Sequence, residues 1–100
     1  MAKLTTVYWR DIPAQVIAKE RRDTAKIVLT ERFAEAIDKA AMRAKMAGTD
    51  AYLEQWRREV VNCGRDLQAA VDEAAKTLEH DFDDTRLEVL IKNGGNATPD

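Results

Sequence analysis

The opening of the chain has the apolar pattern of a β-strand. Residues 4–12 are rich in β-branched and aromatic side chains, which suit a pleated, half-buried surface. A period of two divides these side chains between two faces, with Leu4, Thr6 and Tyr8 on one and Thr5, Val7 and Trp9 on the other. Pro13 is expected to end the strand, because proline has no amide hydrogen to donate to a neighbouring strand.

Two shorter apolar runs follow at residues 15–19 and 25–29, separated by the charged segment 20–24. Runs of this length on either side of a polar segment predict a β-hairpin. Because the segment contains neither Gly nor Asn, the turn type and the strand register stay undetermined at this stage. About three antiparallel strands are therefore expected in the N-terminal third.

From Thr30 onward, apolar residues recur every three or four positions, which predicts helices. The Thr30 hydroxyl is expected to cap a first helix, and Gly48 is expected to end it. A second helix is predicted to begin at Thr49 or Asp50. Its apolar side consists of Leu53, Trp56 and Val60.

A third helix is predicted over residues 67–82, whose alanine-rich apolar side favours close packing against a neighbour. Residues 84–92 fit either a strand or a helix, and a short helix is preferred because acidic residues precede it and Gly94 can end it. Residues 94–100 have little apolar surface to bury and are expected to form a flexible tail on a single domain at residues 1–93. The expected fold class is α+β: a small N-terminal antiparallel sheet of about three strands packed against three or four helices.

Composition places the chain among ordinary globular domains, since 100 residues with 45% hydrophobic and 34% charged side chains suffice for one core. The net charge of −2 argues against nucleic-acid binding driven by overall charge. The charge is nevertheless uneven, because residues 1–32 carry +3 and residues 66–88 carry −6. Such a dipole can steer a charged partner or orient a second copy of the chain.

Several kinds of site and location are disfavoured by what the sequence lacks. No apolar run could cross a membrane and no signal-peptide pattern occurs, so a cytoplasmic location without membrane contact is expected. Cys63 is the sole cysteine, which excludes an intramolecular disulfide and a Cys-rich zinc site. A helix would separate Cys63 from the sole imidazole, His80, by roughly 25 Å, far beyond hydrogen-bond reach. No catalytic residue, cofactor or metal is predicted, and an enzyme is disfavoured.

The candidate site lies where the first strand ends. Trp9, Arg10 and Asp11 combine an indole, a guanidinium fork and a carboxylate, with Arg21 and Arg22 available from the hairpin loop. An aromatic and arginine-rich corner of this kind is typical of a surface that binds a partner or an anion. In the structural alternative, Trp9 is buried, Arg10 is paired with an acidic residue of a helix, and Asp11 caps the turn. Both interpretations stay open at this point.

The same residues carry a resemblance to a known family. The hexapeptide Tyr8-Trp9-Arg10-Asp11-Ile12-Pro13, with further matching residues as far as about Leu87, resembles the small bacterial family called virulence factor. Its members are similar to the terminal module of the conserved virulence factor C proteins. Stand-alone members are similar to proteins encoded near corrinoid and folate methyl-transfer enzymes. The resemblance implies an accessory role in a complex and supplies no catalytic residue.

Two functions are therefore carried forward. The favoured one is a non-catalytic accessory module that docks on a larger protein through its sheet edge and the Trp9-Arg10-Asp11 corner. Self-association, with the basic hairpin meeting the acidic third helix, is one form that this could take. The alternative is a small enzyme or ligand carrier in one-carbon or corrinoid metabolism that uses Arg10 and Asp11 on a small substrate.

Overall fold

The protein, in a computed structural model that describes residues 2–97, folds as one antiparallel sheet with helices packed against it. The elements are, in chain order, β1 (Lys3–Trp9), β2 (Ile12–Glu20), β3 (Asp23–Val28), α1 (Glu31–Arg43), α2 (Asp50–Glu54), β4 (Trp56–Asn62), α3 (Leu67–Asp81) and α4 (Asp84–Lys92). The strand order is β3-β2-β1-β4. The predicted α+β class is confirmed, with four strands in the described residues instead of about three.

The fourth strand is the element that the sequence pattern missed. α2 has five residues and ends at Glu54, after which β4 runs antiparallel to β1 at the edge of the sheet. The prediction of one helix carrying both Trp56 and Val60 is therefore wrong. The β-branched pair Val60 and Val61 favours extended backbone, and pairing with β1 overrides the weak helical pattern.

Every second residue of β4 directs its backbone amide and carbonyl away from the sheet. Just beyond the strand, the amide of Cys63 donates to the carbonyl of Ala2 at 3.1 Å, which marks a hydrogen-bonded pair of the β1–β4 ladder. Because such pairs alternate with non-bonded pairs in an antiparallel ladder, Val61 is bonded to β1. The amide and carbonyl of Val60 therefore face the open edge.

β1 is shorter than predicted, because the chain reverses at Arg10 and Asp11. Pro13 does not end β1, as the sequence suggested; it is buried in β2, opposite Tyr8. The register slips by one residue at this point and leaves Ala14 as a bulge. A bulge is one of the few places in a sheet where proline fits, since the ladder is already interrupted there.

The predicted hairpin between the second and third strands is confirmed, with Arg21 and Arg22 as its turn. Arg10 and Arg21 open the two tight turns of the sheet, and each has a φ of 54°. This left-handed region is usually occupied by glycine, because a Cβ there approaches the backbone. Both turns are therefore somewhat strained.

The three longer helices build the core on the sheet. α3 packs on β2 and β3, α1 packs on β2, and α4 packs against α1. The largest fully buried side chains are Trp9, Phe33, Ile12, Val16, Val71 and Pro13. The predicted third helix is confirmed, and residues 84–92 form the helix that was preferred over a strand. The Asp83 carboxylate caps this helix by accepting from the Arg86 amide at 2.8 Å.

The ends of α1 differ from those expected. Thr30 occupies the N-cap position, but its hydroxyl does not cap the helix and instead donates to Glu79 Oε1 at 2.8 Å. α1 also ends at Arg43, well before Gly48. Lys45 takes the left-handed conformation after the helix, with a φ of 60°.

The strand registers divide the sheet into a face that carries α3 and an outer face, which borders α1 and α2 beside Val28 and is covered by α2 and the segment after α4 at Trp9. Leu4 and Thr6 line a cleft of about 470 Å³ beside α3, and their cross-strand partners Ala18 and Val16 are buried in the core. The predicted alternation along β1 is thus confirmed for these positions. The outer face consists of Lys3, Thr5 and Val7 from β1, Gln15, Ile17 and Lys19 from β2, Thr24, Lys26 and Val28 from β3, and Arg58, Val60 and Asn62 from β4.

Candidate functional site

The corner formed by Trp9, Arg10 and Asp11 is a structural clamp. Trp9 has 0% exposed surface, and its indole Nε1 donates to the carbonyl of Tyr52 at 2.9 Å. The Trp9 and Tyr52 rings stack with centroids 5.5 Å apart. The expectation that the indole points outward is therefore wrong, because α2 and the segment after α4 cover it. The alternative in which Trp9 is buried is the one observed.

The segment after α4 closes over this indole. Gly95 has a φ of 100°, and a Cβ atom placed on it would lie 2.6 Å from Cζ3 of Trp9. The Gly95 carbonyl also accepts from the amide of Asp11 at 2.9 Å, and the amide of Ala97 donates to Asp11 Oδ2 at 2.6 Å. Packing against the corner therefore continues beyond residue 93, where the sequence suggested that the domain ends. Residues 98–100 of the expected tail lie outside the described residues.

The Arg10 guanidinium is engaged by three acceptors inside the protein. Nη1 donates to the carbonyl of Gly94 at 2.9 Å, Nε to Oε1 of Gln55 at 3.2 Å, and Nη2 to the sulfur of Met46 at 3.2 Å. These acceptors are neutral, so the expected pairing of Arg10 with an acidic helix residue is wrong. The side chain instead joins α2, the segment after α1 and the segment after α4 to the β1–β2 turn.

Asp11 belongs to a partly exposed charge cluster with Arg57 and Glu59 of β4. Nη2 of Arg57 lies 3.1 Å from Asp11 Oδ1, Nη1 contacts Glu59, and Nε donates to the Arg10 carbonyl at 2.7 Å. Burial opposes the charged form of Arg57, but hydrogen bonds and attraction from Glu59 and Asp11 outweigh it and raise the pKa of this guanidinium. The ion pair between Arg57 and Asp11 links β4 to the β1–β2 turn.

Tyr8 lies beneath this cluster, with the Arg57 guanidinium carbon 4.4 Å from the ring centroid. Burial of the phenol is the main reason that its pKa is raised, and the negative charge of Glu59 adds to the effect. The phenol is therefore neutral at physiological pH. The face of the Tyr8 ring provides a surface on which the Arg57 guanidinium packs.

Arg21 and Arg22 are not part of this corner. They form the β2–β3 turn, at the opposite end of β2, and both are exposed. At about 3.3 Å per residue, β2 places its two ends roughly 26 Å apart. The five candidate residues thus fall into two separate groups, and the structure does not bring them together.

A second cluster that sequence reasoning missed is centred on Glu79. Its carboxylate accepts from the amide and hydroxyl of Thr30, each at 2.8 Å, and lies 3.0 Å from Arg32 Nη2. Burial of Glu79 acts against its charge, but the bonds from Thr30 and Arg32 prevail and lower its pKa. The Glu79 carboxylate, on α3, thus accepts from the backbone amide of the N-cap residue of α1, Thr30.

Cys63 and His80, the two residues considered for catalysis, belong to neither cluster. Cys63 is partly buried beside the cleft at α3, and the His80 side chain is 89% exposed next to Asp81. Within residues 2–97, no three His, Cys, Asp or Glu side chains are grouped in a way that could hold a metal ion. Among the helices of this range, none has the length and apolar composition needed to cross a bilayer.

The outer face of the sheet carries a group of positive charges that the net charges of sequence segments do not reveal. Its charged residues are Lys3, Lys19, Lys26 and Arg58, and no strand residue described on this face is acidic. Each of the four strands contributes one of these cations, so only the strand registers place them on one surface. The alternation of side chains along the three strands expected from sequence was the signal that could have placed Lys3, Lys19 and Lys26 on the same face.

Apolar side chains occupy the middle of the same face. By register, Val28 of β3, Ile17 of β2, Val7 of β1 and Val60 of β4 form a zigzag across all four strands. Val28 and Val60, at the two ends of the zigzag, are 66% and 56% exposed, whereas Ile17 is half-buried and Val7 is buried. An antiparallel sheet usually turns polar side chains toward water, so an apolar stripe at these positions indicates a surface that another chain can cover.

The fold and this surface define a small α+β module whose sheet has one face packed against α3 and a second, basic face with exposed valines at its two sides. Comparison with protein families adds an identity at this point: the family model called virulence factor matches residues 7–91. The chain therefore belongs to the virulence factor family, which confirms the resemblance seen in its sequence. No curated protein and no solved structure matches the chain.

Proposed function

We propose that this chain is a non-catalytic, protein-binding accessory module of the virulence factor family and that the outer face of its sheet is the binding surface. The observation that carries the proposal is the exposure of Val28 and Val60, the two ends of the apolar zigzag across the basic outer face. Burial of such side chains by a partner contributes roughly 1.5–3 kcal/mol for each residue that becomes fully covered.

The clamp at the β1–β2 turn supports the binding function indirectly. The Arg10 guanidinium donates to acceptors within the chain, and the Asp11 carboxylate accepts from Arg57 and from the amide of Ala97. Neither side chain is therefore free to orient a small substrate. This favours a binding module over the small enzyme or ligand carrier that would use these two residues. In this proposal the clamp fixes β4 beside β1 and thereby completes the outer face.

The family resemblance supports a finer proposal about the partner. Relatives are similar to proteins encoded near corrinoid and folate methyl-transfer enzymes, so the partner proposed is a protein of a corrinoid or one-carbon methyl-transfer system. The charge and shape of the outer face do not depend on that assignment. The two proposals are therefore tested by different readouts of one experiment.

The experiment replaces Val60 by a photo-crosslinking phenylalanine analogue in the full-length chain, in the cells that produce it. The matched control carries the same analogue at Val89 of α4, which is also exposed. We expect a specific crosslinked protein from position 60 and not from position 89. Equal crosslinking from both positions, or none from position 60, would refute the binding surface. The identity of the crosslinked protein separately decides the link to methyl transfer.

A further inference from the structure

We propose that the outer face binds an acidic amphipathic helix of a partner protein. The inference rests on the proposed function and specifies the chemistry of the partner at the same surface. It uses two features together, the arrangement of the cations and the dimensions of the apolar zigzag.

The cations surround the apolar residues instead of lying among them. Lys3 and Lys19 occupy one end of the sheet, Lys26 stands on the β3 side and Arg58 on the β4 side. Lys3 donates to Asn62 at 2.6 Å, whereas within residues 2–97 no ion pair or side-chain hydrogen bond engages the other three cations. Asp38 of α1 borders the face beside Val28, but the strand residues described on this face include no acid, so carboxylates of a partner are the complementary charges.

The apolar zigzag has the dimensions of one side of a short helix. Four strands about 4.8 Å apart span roughly 14 Å from Val28 to Val60. A helix of about ten residues is roughly 15 Å long and about 10 Å wide, so its apolar side can cover these valines while its flanks reach the cations. The opposite face of this sheet is covered in the same way by the protein's own helices.

The remaining charge of the molecule favours this partner over others. The −6 segment at residues 66–88 contains α3, which packs on the opposite face of the sheet, so an acidic partner is attracted to the outer face and repelled from the other side. Single-stranded nucleic acid requires aromatic platforms on which bases stack. Tyr52 and Trp56, the aromatic residues that border the outer face beside Val28, pack edge-on against each other with ring centroids 6.1 Å apart.

The test measures binding of three fluorescently labelled 18-residue helical peptides to the full chain by fluorescence anisotropy. The first has leucines at helical spacing with glutamates elsewhere, the second has the same leucines with lysines, and the third is a scrambled version of the first. We expect the first peptide to bind at least about tenfold more tightly than either other peptide, and to weaken as salt screens the contacts.

Matched charge reversals locate the site. Lys19→Glu with Lys26→Glu changes the outer face, and Lys39→Glu with Lys76→Glu makes the same change of net charge on exposed helix positions. We expect the first pair to weaken binding of the acidic peptide about tenfold or more and the second pair to change it less than about threefold. Circular dichroism and thermal unfolding verify that both double variants are folded.

Three results would overturn the inference: equal affinity for the acidic and lysine peptides, equal loss in both double variants, or tighter binding of a twelve-residue oligothymidylate than of the acidic peptide. If crosslinking from Val60 succeeds and the peptides fail, the outer face still binds protein and the acidic helix is wrong. If the peptides bind and crosslinking from Val60 fails, the face recognises acidic helices but the proposed cellular function is wrong.

Discussion

Gly95→Ala tests whether the segment after α4 belongs to the folded core. The new methyl group would stand 2.6 Å from Cζ3 and 3.0 Å from Cε3 of Trp9, an indole with no exposed surface and no room to move aside. Overpacking of this kind costs about 1–3 kcal/mol, and a non-glycine residue at a φ of 100° adds about 1–2 kcal/mol. The expected loss in free energy of unfolding is therefore about 2–5 kcal/mol. That is a large share of the stability of a 100-residue domain.

Two other glycines provide graded controls for this substitution. Gly48 has a φ of 75° with nothing within 4 Å of a new Cβ, so Gly48→Ala should cost only the backbone contribution of about 1–2 kcal/mol. Gly64 has an open surrounding and no positive φ, so Gly64→Ala should be close to neutral. Urea unfolding followed by circular dichroism and tryptophan fluorescence gives the three values. A cost for Gly95→Ala no greater than that for Gly48→Ala would refute the packing of this segment on Trp9.

Five further substitutions test the edge strand, the two tight turns and the cluster centred on Glu79. Val60→Pro should cost under about 1 kcal/mol because its amide faces the open edge, whereas Val61→Pro should cost about 3 kcal/mol or more in chemical unfolding. Arg21→Gly should be neutral or slightly stabilising, but Arg10→Gly, at the same φ of 54°, should lose about 2 kcal/mol through its three internal hydrogen bonds. Because the folded pKa of Glu79 is lowered, its contribution is present above the ordinary pKa of 4.5 and is lost as the pH falls below it. The Glu79→Gln variant should therefore be less stable than the unmodified chain at pH 7, and it should lose less stability than that chain as the pH is lowered. Thermal melts across pH measure both effects, and the same pH dependence in the two proteins would contradict this reasoning.

Elements with strong local signals were predictable from sequence. The hairpin of β2 and β3 and the helices α1, α3 and α4 follow from periodicity and capping residues, because their pattern depends on neighbours within a few positions. β4 was not predictable in this way. Trp56 and Val60 are four residues apart and suit a helix equally well, and the deciding factor is the free edge of β1, which lies more than forty residues earlier in the chain.

The candidate site shows the same limit. Its hexapeptide was correctly recognised as the distinctive part of the chain, but alternation along β1 cannot reveal that Gly95 returns to cover Trp9. The outer face depends in turn on the strand registers, which bring Lys3, Lys26 and Arg58 onto one surface from distant parts of the sequence. Long-range pairing therefore determines both what the corner does and where the cations meet.

Trp9 and Trp56 are directly opposite each other on β1 and β4. One indole is sealed in the core, and the other is 37% exposed at the margin of the sheet. Tyr52 packs against both indoles, with its ring centroid 5.5 Å from that of Trp9 and 6.1 Å from that of Trp56. Because β4 carries Trp56, detachment of that strand would separate this indole from Tyr52 and expose it to water. Tryptophan emission would therefore report both the loss of β4 and the covering of the sheet beside Trp56.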